Sequence, residues 1–119
     1  MDKVNIPEKL SLFNDYWNPR IVGELNGQFV KLVKFQGAFV WHKHEHEDEF
    51  FYVLNGKFTM EYRNRTIEIK EKEFLIVPKG IEHRPVAINE VAVMIFEPKT
   101  TLNTGDQHSE LTREKLDKI

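Results

Sequence analysis

The feature that most constrains this fold is a series of short β-branched and aromatic runs, separated by turn residues, between positions 20 and 96. Short strands punctuated by turn signals are typical of an antiparallel sandwich or barrel. We therefore predict an all-β domain built from eight strands. The predicted strands have the sequences IVGEL, QFVKLVKF, AFVWHKH, EFFYVL, KFTMEY, TIEIK, FLIV and VAVMIF.

Two Asn-Gly pairs predict tight hairpins, one within residues 25–29 and one within residues 54–58. Asparagine and glycine readily adopt the positive φ angles that a two-residue hairpin turn requires. Further reversals of the chain are predicted at residues 63–65 and 71–73. These turns divide the middle of the sequence into neighbouring antiparallel segments.

The two ends of the chain differ from the middle. Residues 5–17 carry too many large apolar side chains for a free tail. We therefore predict that residues 1–19 form an arm that packs on the barrel or on a partner subunit. Residues 20–98 are expected to form the barrel, and residues 99–119 a loop followed by a short helix. That helix is predicted from Ser109 or Thr112 as a cap, followed by leucines at roughly helical spacing.

Composition narrows the class of protein. A length of 119 residues indicates one domain, and 40% hydrophobic with 30% charged residues is typical of a soluble globular protein. The longest apolar runs, such as VAVMIF, are too short to cross a bilayer. The formal net charge of −2, with lysines and arginines scattered among acids, argues against nucleic-acid binding. Without cysteine or the apolar core of a signal peptide, we expect a cytoplasmic protein.

Three of the five histidines lie in the stretch WHKHEHEDEF, residues 41–50. Alternate residues of a strand share a face, so His42, His44 and His46 are predicted to point the same way. The next run, EFFYVL, is apolar on both faces and should be buried, so Glu49 at its start needs a partner. A divalent cation is the expected partner, because imidazole and carboxylate together suit mid-row transition metals.

A further ligand is expected from the distant stretch VPKGIEHRP. Pro78 and Gly80 predict a turn that directs His83 back toward the sheet. His108 is a weaker candidate because it lies in the polar stretch NTGDQHSE.

Two registers are compatible with the histidine cluster. Glu49 can follow His42 and His44, or it can follow His44 and His46 after a turn of only two residues. The first register has the longer turn, which is easier to close between antiparallel strands. It would leave His46 near solvent.

The spacing of these residues resembles the two conserved motifs of the cupin family. The first motif is matched by His42-x-His44-x4-Glu49-x6-Gly56, and the core of the second by Pro78-x-Gly80-x2-His83. Both motifs fall within residues 37–87. The sequence departs from the family pattern at Gly37, Lys72 and Ala87, none of which is a ligand position.

The resemblance implies a double-stranded β-helix, or jelly roll, of the small single-domain cupin type, which is usually a homodimer. It implies a divalent transition metal, namely manganese, iron, nickel or zinc, inside the barrel. The residues that match the family's ligands are His42, His44, Glu49 and His83.

Several large side chains on the predicted strands are candidates for lining a substrate cavity, although such residues are more often ordinary core. They are Phe39, Trp41, Phe51, Phe58, Met60, Tyr62 and Phe96. Arg84, beside His83, is expected to form a surface salt bridge, with an anion clamp as the alternative.

Two functions remain open. The first is a metal-dependent enzyme of the dioxygenase, isomerase or lyase type that acts on a small oxygen-rich or anionic molecule. The second is a non-catalytic module that binds or senses a small ligand. A general acid or base near the metal would favour the enzyme, whereas a purely apolar cavity would favour the binding module.

Overall fold

The last and longest strand, His83–Pro98, organises the fold of this chain, which we describe from a computed structural model for residues 2–119. These residues form one short helix, α1 (Ile6–Leu10), and seven strands. The strands are β1 (Arg20–Leu25), β2 (Gln28–Ala38), β3 (Glu49–Asn55), β4 (Lys57–Tyr62), β5 (Arg65–Lys70), β6 (Phe74–Val77) and β7 (His83–Pro98).

Every strand pairing is antiparallel, as the turn pattern predicted. The main sheet has the order β1-β2-β7-β3-β6, while β4 pairs with β5 and with the first part of β7. Because β7 pairs with three strands, its two ends lie in different parts of the sheet. His83 at one end and Glu97 at the other can therefore both reach the interior.

The interior is filled by the inward face of these strands. In β3 burial alternates along the chain, so that Glu49, Phe51 and Val53 are buried and their neighbours are less so. The alternation follows from the two-residue period of a strand. The buried cluster contains Trp17, Val33, Phe35, Phe39, Phe51, Val53, Phe58, Met60, Ile69, Val77, Ala87, Val91, Val93 and Ile95.

Only one of the two predicted Asn-Gly hairpins forms. Asn26 and Gly27, with φ of 50° and 77°, connect β1 to β2 as a two-residue turn. Asn55 instead lies within β3 and pairs with Ala92, and among the described strands β3 and β4 each pair with β7 and not with each other. A Cβ atom on Gly56 would lie 3.0 Å from the Glu90 carbonyl oxygen. This glycine therefore serves a close approach to β7 and not a hairpin.

The prediction of a strand with the sequence AFVWHKH, residues 38–44, is also wrong. After Ala38 the chain leaves the ladder, and within residues 39–44 a single β-bridge joins His42 to His83. The backbone of this segment bonds to loops: the Lys43 carbonyl accepts from Asp106 N–H at 3.1 Å and the His44 carbonyl from Gly80 N–H at 2.7 Å. Its other backbone hydrogen bonds reach the first residues of β7, where Phe39 N–H donates to the Pro85 carbonyl and His42 bonds to His83.

The predicted C-terminal helix is absent from residues 109–119, which form turns. The Ser109 and Thr112 side chains accept local backbone N–H groups, as such residues do in caps and in turns alike. Beyond them the chain extends along β1, where Ile21 N–H donates to Asp117 and Ile119 N–H to Ile21. Pairing with β1 replaces the helical hydrogen bonds.

Leu10, Phe13 and Trp17 of the N-terminal segment contact β2. Trp17 stacks on Phe35 and Phe39 with ring centroids 4.4 and 4.8 Å away, and the Lys34 ammonium donates to the carbonyls of Leu10 and Phe13.

The division of the chain into three segments, with boundaries after residues 19 and 98, stays a prediction. Among residues 2–119, no helix combines the length and the apolar character that crossing a membrane requires.

Candidate metal centre

Four side chains from three separate parts of the sequence meet inside the sheet. His42 and His44 come from the irregular segment after β2, Glu49 begins β3, and His83 begins β7. Their ligand atoms all lie within 4.8 Å of one another, and each residue is at most 4% exposed. Backbone bonds between His42 and His83, at 2.9 and 3.0 Å, place these two residues side by side.

Carbonyl groups fix the orientation of two of the imidazole rings. His42 Nδ1 lies 2.9 Å from the Val40 carbonyl oxygen, and His83 Nδ1 lies 2.8 Å from that of Ile81. A carbonyl can only accept, so Nδ1 of each ring carries the hydrogen and donates it. In the neutral rings the Nε2 atoms then present lone pairs, which is the tautomer that binds metals through Nε2.

The polar atoms at the centre lack the donors that they need. His83 Nε2 lies 3.1 Å from Glu49 Oε1, so a nitrogen lone pair faces a carboxylate oxygen. His44 Nε2 lies 2.8 Å from the same oxygen, yet it makes no hydrogen bond of normal geometry with any described residue. Buried acceptors that converge in this way are stabilised by a cation between them. The residues present therefore fit a divalent metal ion.

The pKa values at the centre follow from burial and from the neighbouring charges. Burial raises the pKa of Glu49, but the imidazole groups of His44 and His83 beside its Oε1 outweigh burial and hold that pKa well below its ordinary value. Burial, together with His83, lowers the pKa of His42 to about 4. Glu49 is thus ionised and His42 neutral at pH 7, which are the states that metal ligands of these two types require.

We predict that His42 in the metal-free protein stays neutral until the pH falls to about 4. Since an unfolded histidine titrates near pH 6.5, lowering the pH through this window protonates the unfolded chain first and His42 thereby favours unfolding. The raised pKa of Glu97 acts in the opposite sense, so total stability is a poor readout. NMR titration of the His42 ring is the direct measurement, with the urea-unfolded protein as control. A midpoint near 6.5 in the folded protein would contradict the prediction.

The structure leaves the two other candidate histidines at the surface. His46 is exposed, as the longer-turn register predicted. His108 is exposed as well and lies 3.9 Å from Glu114. Arg84 forms the predicted surface salt bridge, with its Nε 2.7 Å from Glu61 Oε1.

Two loops hold the ligand segment in place. Gly80 N–H donates to the His44 carbonyl, and Lys79 N–H donates to the Asp48 side chain at 2.8 Å, so the predicted turn at Pro78 and Gly80 rests on the histidine loop. On the other side Gly105 approaches so closely that a Cβ atom there would lie 2.2 Å from the Lys43 carbonyl oxygen. The sequence pattern did not reveal this second contact.

A cavity of about 30 Å³ adjoins the centre. His42 and Glu49 form part of its wall, and most of the remainder is apolar. The further lining residues are Trp17, Pro19, Val33, Phe35, Phe39, Phe51, Pro85, Ile95, Glu97 and Asn103. Of the predicted lining residues only Phe39 and Phe51 are among them, whereas Phe58 and Met60 are buried in the core.

A buried ion pair that the sequence reading missed reaches this cavity. Lys31 Nζ lies 2.6 Å from Glu97 Oε1, and the two side chains are 1% and 3% exposed. Burial raises the pKa of Glu97 and the nearby negative charge of Glu49 raises it further, so it lies well above the ordinary value although Lys31 opposes this. The sequence did contain a signal for the burial of Glu97. Val91, Val93 and Ile95 alternate on the inward face of the strand, and Glu97 is the next residue in that alternation.

Comparison with known proteins identifies relatives of this chain. A family model described as "Cupin domain" matches residues 29–97. A cupin-2 domain containing protein from Shewanella frigidimarina has a solved structure with 43% sequence identity and a TM-score of 0.80, covering 81% of this chain and 94% of that one. A solved protein structure from Neisseria meningitidis has 27% sequence identity to this chain and a TM-score of 0.76. The match covers 82% of this chain and 100% of that one.

A curated but uncharacterized protein of Bacillus subtilis is 36% identical over 64 residues. The match covers 53% of this chain and 57% of that protein, so this chain spans little more than half the length of the curated relative.

Proposed function

The chain belongs to the cupin family, and from that premise we propose that it binds one divalent transition metal ion and acts as a metal-dependent enzyme on a small oxygen-rich or anionic molecule. The proposed ligands are His42, His44, Glu49 and His83, and the proposed metals are manganese, iron, nickel and zinc. We expect the barrel to close as a jelly roll, which is the fold of this family. A dioxygenase, an isomerase and a lyase are the reaction types that we consider.

The convergence of the four ligand atoms on one point is the observation that carries the proposal. Three neutral imidazoles and one carboxylate would leave a bound divalent ion with about one net positive charge, which would attract and polarise a carbonyl, carboxylate or enolate oxygen. His42 and His83 contribute by holding their Nε2 atoms in place through the carbonyls of Val40 and Ile81. The apolar walls of the cavity exclude bulk water from the same point.

Glu97 favours the enzyme over the alternative function. It places a carboxyl group in the wall of the cavity that also contains His42 and Glu49. A polar group beside the metal is able to bind a substrate hydroxyl or move a proton, which a purely storing cavity does not require. The apolar majority of the wall is what supports the alternative, a non-catalytic cupin that binds or senses a small ligand.

The cellular setting belongs to the same proposal. We propose a cytoplasmic homodimer with a small-molecule ligand. The exposed apolar side chains Phe74 and Ile76 on β6 are 60% and 52% exposed and offer a surface for a second subunit.

Elemental analysis followed by an activity screen tests the proposed function. We expect the native protein to carry about one transition metal ion per chain, because the buried lone pairs are otherwise unsatisfied. The protein loaded with that metal would then be screened against diketones, flavonols and sugar phosphates, with the Glu49→Ala variant as the control. Turnover by the loaded protein and not by the variant supports the enzyme. Saturable binding without turnover supports the alternative, and absence of metal rejects the metal-dependent enzyme.

A further inference from the structure

The wall of the cavity beside the metal centre reaches the surface at one residue. Twelve of the described residues line this cavity, and eleven of them are buried. Asn103 is the exception, because it is only half-buried. A wall that is buried everywhere but at one residue meets the solvent at that residue. The entrance of the cavity therefore lies at Asn103.

Most of the remaining wall belongs to the sheet. Val33 and Phe35 lie on β2, Phe51 on β3 and Ile95 on β7, and β7 forms antiparallel ladders with both of the other strands. Moving these strands apart would break several backbone hydrogen bonds at once, which makes such an opening costly. A ligand is thus not expected to enter through this part of the wall.

The loop at the entrance has fewer backbone bonds to the barrel. Lys99 N–H donates to the Gly27 carbonyl and Asp106 N–H to the Lys43 carbonyl, each at 3.1 Å. Between these two points, the backbone N–H groups of residues 100–105 that form bonds to described backbone carbonyls bond only to carbonyls three residues earlier. A segment with few long-range bonds opens at a lower cost in free energy than a sheet does.

Two side-chain hydrogen bonds hold the Asn103 amide at the entrance. Its Oδ1 accepts from Arg113 N–H at 2.9 Å, and its Nδ2 donates to the Leu111 carbonyl at 2.9 Å. A backbone N–H only donates and a carbonyl only accepts, so the amide has a single orientation. Leu111 itself packs against the buried core. The C-terminal turn therefore fixes the position of this side chain.

We infer that Asn103 is a gate residue that determines which molecules reach the metal centre and how fast they do so. The closed cavity of about 30 Å³ has room for about two water molecules. A larger molecule therefore enters only after the amide has left Leu111 and Arg113, as in other proteins whose loops control access. The inference concerns access to the cavity, and only the second of its two tests rests on the proposed function.

Fluorescence quenching tests the gate in the metal-free protein. Trp17 lines the cavity and is 7% exposed, and Trp41→Phe leaves it as the one tryptophan of the chain. In this background the rate constant for quenching by acrylamide is measured with and without Asn103→Ala. That variant removes the amide and both of its hydrogen bonds, so the rate constant should rise at least about threefold.

Two further variants complete the quenching experiment. Asn89→Ala is the matched control, because Asn89 is exposed and is not part of the cavity wall. It should leave the quenching unchanged. Asn103→Ser withdraws the amide but keeps an acceptor for Arg113 N–H, so it replaces Asn103→Ala if that variant does not fold.

The second test follows the entry of ligands to the loaded centre. Formate and propanoate share a carboxylate but differ in bulk, and their binding to the Co²⁺-loaded protein is followed by stopped-flow visible absorption. We expect Asn103→Ala to raise both the association and the dissociation rate constants of propanoate at least about threefold. The dissociation constant should stay within about twofold, because a gate affects passage in both directions. Formate should be affected less than propanoate.

The outcomes separate this inference from the proposed function. Unchanged quenching of Trp17, or unchanged association of propanoate, in the Asn103 variants overturns the inference while the metal site stands. A change confined to the dissociation rate constant would show that Asn103 contacts the ligand and does not act as a gate. A protein that takes up no Co²⁺ overturns the proposed function, and the quenching experiment then decides the inference alone.

Discussion

Replacing either His83 or Glu49 by alanine is expected to lower the metal content of the purified protein from about one ion per chain to less than about a tenth. These two residues join β7 and β3 at the centre, with His83 Nε2 only 3.1 Å from Glu49 Oε1. Under the proposed function Glu49 supplies the negative charge that offsets the cation, and His83 supplies a neutral nitrogen ligand. We expect a loss of affinity of at least about 100-fold in each case, since changes in the surrounding shell alone cost 10–100-fold.

The measurement is elemental analysis of proteins purified in parallel, followed by titration of the metal-free forms. His46→Ala and His108→Ala are matched controls, because both rings are exposed and lie apart from the centre. They should retain the wild-type stoichiometry. Full metal content in both the His83 and the Glu49 variants would rule out the four-ligand site.

The second large effect concerns stability and the buried pair of Lys31 and Glu97. Lys31→Met is expected to lower the free energy of unfolding by about 3 kcal/mol, because it leaves the buried Glu97 carboxyl group without the ammonium that donates to its Oε1. The double variant Lys31→Met, Glu97→Leu removes both charges and should recover most of this loss, since two apolar side chains in a dry interior need no partner. Urea unfolding of the metal-free proteins at pH 7 gives both values.

Lys99→Met is the matched control for the loss of a lysine. Lys99 also forms an ion pair, at 3.1 Å from Glu24, but its side chain is 52% exposed. An exposed pair contributes at most about 1 kcal/mol, so this variant should unfold close to the wild type. A loss of equal size in Lys31→Met and Lys99→Met would show that burial of the pair is not what matters.

The local pattern of the sequence predicted the centre well. The alternation of His42 and His44, the acidic residue that opens β3 and the turn before His83 are all short-range features, and the structure brings these residues together. The longer-turn register also left His46 at the surface. The spacing of these residues and the turn before His83 are local features, which is why a single sequence was sufficient here, although the histidine segment is not the strand that the alternation predicted.

Partner choice between strands was harder to predict. The Asn-Gly pair at residues 55–56 has the same chemistry as the pair at 26–27, yet β3 and β4 each bond to β7. Likewise Ser109 and Thr112 suit both a helix cap and a turn, and the bonds that Ile21 forms with Asp117 and Ile119 decided between them. In both cases distant segments competed for the same backbone hydrogen bonds, and this competition determined which structure formed. Such competition cannot be read from the local sequence.

By itself the sequence determined an all-β chain and indicated the four residues that meet at its centre, since their spacing and the turn before His83 are local features that match the motifs of the family. Only the tertiary structure decided what surrounds that centre. The long pairing of β2 with β7 brings Lys31 and Glu97 together across 66 residues of chain, and the loop at Gly105 closes against Lys43. These contacts exist because the folded sheet brings separated segments within reach of each other.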